Sequence, residues 1–388
     1  MTSSLLSRRQ LSLLILILPG LILWLSLAGP NTAPPFPPRQ HDSIQRLYQQ
    51  KVPDQDHYRL HLLLPLSPAA TARQQLEQQL LIEALQVRLQ SLPQPPQVQR
   101  HPGHLRLEIR APTAPDDVLS PLLQHLQQPP ALDWQARLNH LQARQYLQRQ
   151  QPEGWLLGGG QDTGGSATWP NPAEHYRHWV APERWQFSLS GPDRLARPLM
   201  PTHPAATTES APEPNPELTF RVLPVTPPDG SARLLRWPLT APETLEQLAL
   251  TLLAREYLQQ RLSATLEAVH VQGDSASGFS LSWIPVTPGG QASLLLQGPA
   301  QDVLTAAIQT PVTSTDLHAA RTTLASRLDD MQRGQAWLDL LALYRLAADS
   351  FDHLDRALAD IDATTLQRWL QAQRESDYYH VLSLPAAP

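Results

Sequence analysis

The chain repeats itself. Pro65-Leu66-Ser67 lines up with Pro238-Leu239-Thr240. Without a gap the match runs on through Thr71/Thr244, Gln74/Gln247, Leu80/Leu253, Glu83/Glu256, Leu85/Leu258, Gln86/Gln259, Arg88/Arg261 and Leu89/Leu262. Further blocks follow in the same order at slightly larger offsets: Leu105-x-Leu107-x-Ile109 with Phe279-x-Leu281-x-Trp283, Asp117-Val118-Leu119 with Asp302-Val303-Leu304, Asp133 with Asp316, and Trp155-Leu156 with Trp337-Leu338. The period is too long for a solenoid, so the pattern reads as one domain duplicated. A chain of 388 residues divides naturally into about two domains, each long enough for its own hydrophobic core.

The net charge is −5 and there is no basic block, which argues against nucleic acid as a partner, because phosphate neutralisation needs clustered Lys and Arg. The absence of cysteine removes thiolate nucleophiles, cysteine zinc sites and disulfides together. Compartment is read from the N-terminus. Arg8-Arg9 precedes an apolar run from Leu11 to Ala28, which a proline-rich stretch follows. Such a run sits at the lower limit for crossing a bilayer, and the basic residues before it predict a cytoplasmic N-terminus and an exported body. Ser26-Leu27-Ala28 also resembles a small-x-small cleavage site, and Ser7-Arg8-Arg9 faintly resembles a twin-arginine signal. The length of the run and the Pro-rich spacer favour an uncleaved anchor over a cleaved signal, and either over a buried core helix, which would need enclosure on every side.

After the spacer, Tyr58 to Leu64 reads as a strand. Ala69 to Leu92 is a helix, with Leu76, Leu80, Leu81, Leu85 and Leu89 on one face. Leu105, Leu107 and Ile109 alternate with polar residues as a half-buried strand, and Val118 to Leu126 and Trp134 to Gln150 are helices. The second copy runs likewise: strand Leu234 to Trp237, helix Pro242 to Leu266, strands Phe279 to Trp283 and Ser293 to Gln297. Helices Val303 to Ile308, Ser314 to Leu328, Gln335 to Ser350 and Leu354 to Gln373 follow, then a last strand, His380 to Leu384. The fold class is therefore α+β, two tandem domains each with a mostly antiparallel sheet covered by helices. Pro201 to Pro216, nearly free of large apolar groups, reads as an extended linker.

The strand-Pro-helix blocks PLSPAATARQQLEQQLLIEALQVRL and PLTAPETLEQLALTLLAREYLQQRL carry a resemblance, as do TSTDLHAARTTLASRLDDMQRGQAWLDLLALY, WQFSLSGPDRL and the C-terminal HLDRALADIDATTLQRWLQAQRESDYYHVLSLP. Together they resemble the insulinase and mitochondrial-processing-peptidase (M16) family of zinc peptidases, whose tandem α+β domains pair face to face and whose closing unit is a threonine-capped helix before a last strand. The resemblance covers nearly everything after residue 49. Ahead of it, the basic residues, the apolar run and the prolines make 1–10 a cytoplasmic n-region, 11–28 a transmembrane signal anchor and 29–48 a Pro-rich spacer. The first domain is then 49–200, the linker 201–217 and the second domain 218–388.

Family peptidases carry H-x-x-E-H on the first long helix, where two imidazoles one turn apart share a metal and the glutamate activates its water. The matching helix here, Thr71 to Leu92, has no histidine and offers Glu77 and Glu83; its counterpart has Glu246, Glu256 and Glu267 and no histidine before His270. Asn171-Pro172-Ala173-Glu174-His175 mimics the motif far from that helix. Arg374, Tyr378 and Tyr379 lie near where noncatalytic halves of the family grip substrate, but their spacing does not transfer the role. His175 and His178 with Glu174, and His101 and His104 about a Pro-Gly turn, read as surface or turn residues more readily than as metal ligands. Leu157-Gly158-Gly159-Gly160, continuing to Gly165, lacks the lysine of a phosphate loop, and Ser190-Gly191 and Ser277-Gly278 lack a nucleophile elbow.

The expectation is a noncatalytic M16-like protein of the cell envelope, single-pass in the inner membrane with its soluble domains in the periplasm. It has no catalytic, cofactor or metal residues of its own. Its partners would be a zinc-bearing homologue, completing a chamber, and extended peptides or unfolded protein segments. The alternatives are a stand-alone binding or scaffold module and, behind it, a divergent hydrolase.

Overall fold

Two threonine caps, the first a full capping box, frame the fold. In the computed structural model, Thr71 Oγ1 accepts from Gln74 N at 3.2 Å while Gln74 Oε1 accepts from Thr71 N at 3.2 Å, opening helix α1 (Ala72–Gln90). In the second copy Thr244 Oγ1 accepts from Gln247 N at 3.3 Å and Gln247 Oε1 from Glu243 N at 2.8 Å. The repeated Thr-x-x-Gln is a helix start twice over, each cap satisfying donors that the first turn leaves without intrahelical partners. The structure describes residues 39–41, 44–52, 55–92, 95–112, 116–158, 167–193, 217–228, 232–271, 278–284, 290–297, 307–332, 335–374 and 380–384, all within the unit Pro37–Pro388. The apolar segment 11–28, the linker 201–216, Asp302-Val303-Leu304, Ser277, Tyr378 and Tyr379 lie outside them. Among the described residues no helix is long and apolar enough to cross a membrane.

The first copy runs β1 (Arg39–His41), β2 (Ile44–Lys51), β3 (Tyr58–Pro65), α1, β4 (Gln97–His101), β5 (His104–Ala111), α2 (Asp116–Gln127), α3 (Trp134–Gln148), α4 (Pro152–Leu157), β6 (Ala167–Trp169), α5 (Pro172–Trp179), β7 (Gln186–Gly191) and β8 (Leu218–Phe220). The second runs β9 (Ala232–Leu239), α6 (Leu245–Val271), β10 (Gly278–Ile284), β11 (Gly290–Gln297), α7 (Ser314–Gln332), α8 (Gln335–Tyr344), α9 (Leu354–Asp360), α10 (Ala363–Arg374) and β12 (His380–Ser383). The first sheet is ordered β1-β2-β7-β3-β5-β4 and the second β12-β9-β11-β10. The order β7-β3-β5-β4 therefore recurs as β12-β9-β11-β10, the same topology in both copies. Every ladder is antiparallel except β2 with β7.

Alternation along the strands sorts the first sheet into two unlike faces. Leu60, Leu62, Leu64, Leu105, Leu107, Phe187 and Leu189 pack with Leu76, Leu80 and Leu85 of α1 and with Leu138 and Leu141 of α3. Fully burying one such side chain contributes about 1.5–3 kcal/mol. The opposite face presents His61, Arg106, Glu108, Gln186 and Ser188, and α8 of the second copy lies across it.

Several expectations need correction. Residues 39–41 and 44–48 are not spacer: Leu47 to Lys51 pair in parallel with Phe187 to Gly191, so the first sheet begins before residue 49. The second domain does not begin at 218, because β8 pairs with β6 and Leu218, Phe220 and Val222 enter the first core. Leu105-x-Leu107-x-Ile109 has its topological counterpart in β11, not in the Phe279 strand, which corresponds to β4. Alternation alone cannot tell two neighbouring strands of a hairpin apart. The expected helix from Leu354 to Gln373 breaks at Ile361, whose backbone is extended, and Asp362, not a threonine, caps α10 by accepting from Thr365 N at 2.7 Å.

Candidate functional site

The candidate site is the outward face of α1, where the resemblance would put a metal. Gln75, Gln78 and Gln79 stand at i, i+3 and i+4, so they share that face. The register that keeps the glutamate of H-x-x-E-H is Gln74-x-x-Glu77-Gln78, with amides in both imidazole places, a signal the search for histidine passed over. Each amide is engaged. Gln75 Nε2 donates to Leu157 O at 2.7 Å, Gln78 Nε2 to Ser67 O at 3.1 Å, and Gln78 Oε1 and Gln79 Oε1 accept from Arg100 and Arg144 at 3.1 and 3.4 Å. Arg236 of β9 reaches the same corner, donating to Ala70 O at 2.6 Å and Leu157 O at 2.7 Å. Burial presses its pKa down, and both bonds go to backbone carbonyls.

The carboxylates of α1 are turned to other work. Glu83 lies 3.5 Å from Arg144 and 4.0 Å from Arg137 on α3. Its repeat partner Glu256 lies 2.6 Å from Arg327 on α7, so this helix-to-helix pair recurs in both copies and reads as architecture. Burial raises the pKa of Glu77, and Arg73 at 3.5 Å partly offsets it. Zinc takes Cys, His, Asp or Glu ligands, and here amides and arginines surround the place where the fold family holds it. Among the described residues no group of three or more His, Asp or Glu side chains could hold a metal ion. The residues present do not fit zinc at this position.

The other sequence candidates are dispersed. Asn171 caps α5, accepting from Glu174 N at 3.2 Å, which accounts for the motif-like run ending at His175. His175 stacks on Trp169 with centroids 4.6 Å apart, and His178 is exposed. His101 and His104 face each other across the β4–β5 turn with rings 4.8 Å apart and nearly parallel, so their nitrogens do not converge on one point. Gly103, with φ 81°, makes that turn. Ser190 Oγ donates to Gln55 Oε1 at 3.2 Å, with no base beside it. Glu246 sits in the first turn of α6, its pKa lowered by its own backbone N–H and the Thr244 hydroxyl.

The cluster that sequence reasoning missed is buried between the copies. Asp339 of α8, 5% exposed, accepts from His61 Nδ1 at 2.9 Å, Ser188 Oγ at 2.5 Å and Arg106 at 3.4 Å, thereby touching β3, β7 and β5. Gln335 Nε2 donates to Ser188 Oγ at 2.8 Å. His61 Nε2 lies 3.9 Å from Glu108. Burial pushes the Glu108 carboxyl up, but Arg110 at 2.6 Å, His61 and Arg59 outweigh it and hold the group below its usual range. Histidine, aspartate and serine meet here, but the aspartate sits between the other two. The serine is completely buried, so this is a structural lock and not a catalytic triad.

No family model and no curated protein matches the sequence. Solved structures do match. An M16-like peptidase of Alicyclobacillus acidocaldarius superposes with a TM-score of 0.58 at 12% identity, over 91% of this chain and 99% of that one. A Helicobacter pylori protease gives 0.57 at 11% identity, over 88% and 97%. The periplasmic protease PqqL of Escherichia coli gives 0.52 at 12% identity, over 88% of this chain but 45% of its own length. Likeness in tandem topology across nearly the whole chain, at identities this low, establishes architecture: the chain has the M16 peptidase-like fold.

Proposed function

We propose that this chain is a noncatalytic M16-like protein of the cell envelope that holds extended peptide segments and pairs with a zinc-bearing homologue, which supplies the hydrolysis. One observation carries the reading: α1 keeps the glutamate of the metal motif as Glu77 but carries Gln74 and Gln78 in the two imidazole places, Gln74 accepting from Thr71 N and Gln78 tied to the Ser67 carbonyl and Arg100. The fold is kept and the ligands are replaced. Beside that face, β4 is a sheet edge; among the described residues it pairs only with β5, which leaves its outer side for an added strand. PqqL, one of the structural neighbours, is a periplasmic protease, and another, FusC, is a ferredoxin protease solved with Arabidopsis ferredoxin at a TM-score of 0.51 and 14% identity. Both support a protein or peptide ligand, and PqqL supports the periplasmic side. The apolar run from Leu11 to Ala28 would tether the chain to the inner membrane.

Purified full-length protein in mild detergent, given fluorescent unfolded peptides with and without added zinc, tests the reading. Binding without cleavage is expected, and a peptide N-methylated at alternate residues should bind at least about tenfold more weakly, because it cannot complete a strand ladder. Zinc-dependent cleavage by the chain alone would overturn it.

A further inference from the structure

The face of the first sheet turned away from α1 holds a second, unassigned feature. Where the end of α8 meets the starts of β7 and α1's leading loop, a cavity of about 240 Å³ has Pro65, Leu343 and Tyr344 on its apolar side and Arg184, Gln186 and Arg345 on its polar side. Its polar side collects two unfavourable features, and beside them two arginines, Arg184 half-buried and Arg345 exposed, that no carboxylate pairs with among the described residues.

Arg345 is the first. It is the one non-glycine residue at positive φ among the described residues, at 53°. It occupies the left-handed position that ends α8, where Leu346 N donates to Leu341 O at 3.1 Å and Arg345 N to Ala342 O at 3.3 Å. Glycine is the usual occupant there, since a side chain in that conformation crowds the following carbonyl. The second is Gln186, whose side chain is 1% exposed and whose Oε1 has no hydrogen-bond partner, which leaves a desolvated acceptor uncompensated. Beside them is charge. Neither Arg184 nor Arg345 lies within salt-bridge distance of a carboxylate among the described residues. Burial presses the Arg184 pKa down, and exposed Glu183, also at the rim, only partly offsets it. Strain and an orphaned acceptor, gathered with two cations on one side of one cavity, mark a place built for something else.

We infer that this cavity binds the C-terminal residue of a peptide, with an apolar side chain. The carboxylate sits between Arg184 and Arg345, the adjacent amide N–H donates to Gln186 Oε1, and the side chain lies against Pro65, Leu343 and Tyr344. Each ligand group answers one unmet feature. The volume is below the range of drug-sized pockets and suits a single residue. A carboxylate held by guanidinium groups makes the stronger, charge-assisted kind of hydrogen bond. The inference does not depend on how the α1 face is read.

Calorimetric titration of the full-length protein in detergent tests it, with N-acetyl-leucine, N-acetyl-leucinamide and a short peptide ending in leucine as probes. The acid and the peptide should bind with similar affinity, and the amide at least about tenfold more weakly, for want of the charge. Arg345→Gly and Gln186→Leu separate recognition from folding. Each removes an unfavourable feature, so Tm should hold or rise, while affinity for N-acetyl-leucine falls by about tenfold or more. Equal binding of acid and amide, undiminished affinity in Arg345→Gly, or no binding of N-acetyl-leucine up to about 10 mM would each overturn the assignment.

Discussion

The two copies grip each other twice through the same repeated dipeptide, and the two grips use different chemistry. In the first copy Trp155-Leu156 of α4 packs on the second sheet against Leu234, Leu295 and Leu384, an apolar contact, and Arg236 fastens its end by bonding to Leu157 O. In the second copy Trp337-Leu338 of α8 packs on the first sheet, but the next residue is Asp339, and its carboxylate is locked to His61, Ser188 and Arg106. The repeat alignment pairs Asp339 with Leu157 and His61 with Leu234. One grip holds wherever apolar area is covered; the other holds only when three strands and a helix are in register. Buried charges of this kind stabilise little net but penalise misalignment heavily. The difference teaches that the α8 grip sets the geometry between the copies and the α4 grip supplies adhesion.

The sharpest way to break this comparison is Asp339→Ala. It strands His61, Arg106 and Ser188 in a desolvated interface and should cost about 3–5 kcal/mol in chemical denaturation. The double change His61→Leu with Asp339→Leu, which copies the apolar grip, should lose less than either single change; a strictly additive loss would show that the charges are not coupled. Leu156→Ala, at a fully buried position, should cost about 2–4 kcal/mol, and because it removes only packing its effect should not vary between pH 5 and 8.

The next effect depends on pH. Burial, and after it the neighbouring His101, depresses the pKa of His104 from 6.5 to about 4; Arg106 adds to the depression and Asp339 opposes it. The unfolded chain therefore takes up a proton here at a higher pH than the folded one. Stability is present in full above about pH 6.5 and drains away as pH falls toward 4. His104→Gln should flatten the pH dependence of denaturation across that window by about 1–3 kcal/mol. An unchanged slope would place the proton uptake elsewhere. The smallest change is Arg236→Gln, which removes two bonds to carbonyls and no carboxylate partner. It should cost about 1–2 kcal/mol with little dependence on salt, whereas a strong salt dependence would reveal an ion pair.

Much of this was legible in the residues. Thr71/Thr244, Gln74/Gln247, Glu83/Glu256 and the two Trp-Leu blocks announced the duplication, while their roles as helix caps, a paired helix contact and reciprocal grips emerged only from the fold. The Asp339 cluster was not legible, because His61 and Asp339 are far apart in sequence and only the folded second copy brings them together. Its one local signal was a lone acid inside the apolar run Trp337-Leu338-Asp339-Leu340-Leu341. Strands β1, β2 and β8 were also hidden. They are short or polar segments whose pairing is set by neighbours already in place, and strand preference depends on such context more than on composition. At the candidate site, the missing histidines were plain, but the amides in their spacing gained meaning only when Arg100, Arg144 and Arg236 were seen around them.

The central claim is that the chain keeps the M16-like architecture while its α1 face has given up metal chemistry to a partner. Isolating the full-length protein from its native membranes in mild detergent, with zinc and co-purifying proteins measured on the same sample, tests it most directly. The account predicts a stoichiometric zinc peptidase alongside a chain that itself carries no zinc. Zinc bound to this chain alone, with peptide hydrolysis that survives removal of every other protein, would contradict it.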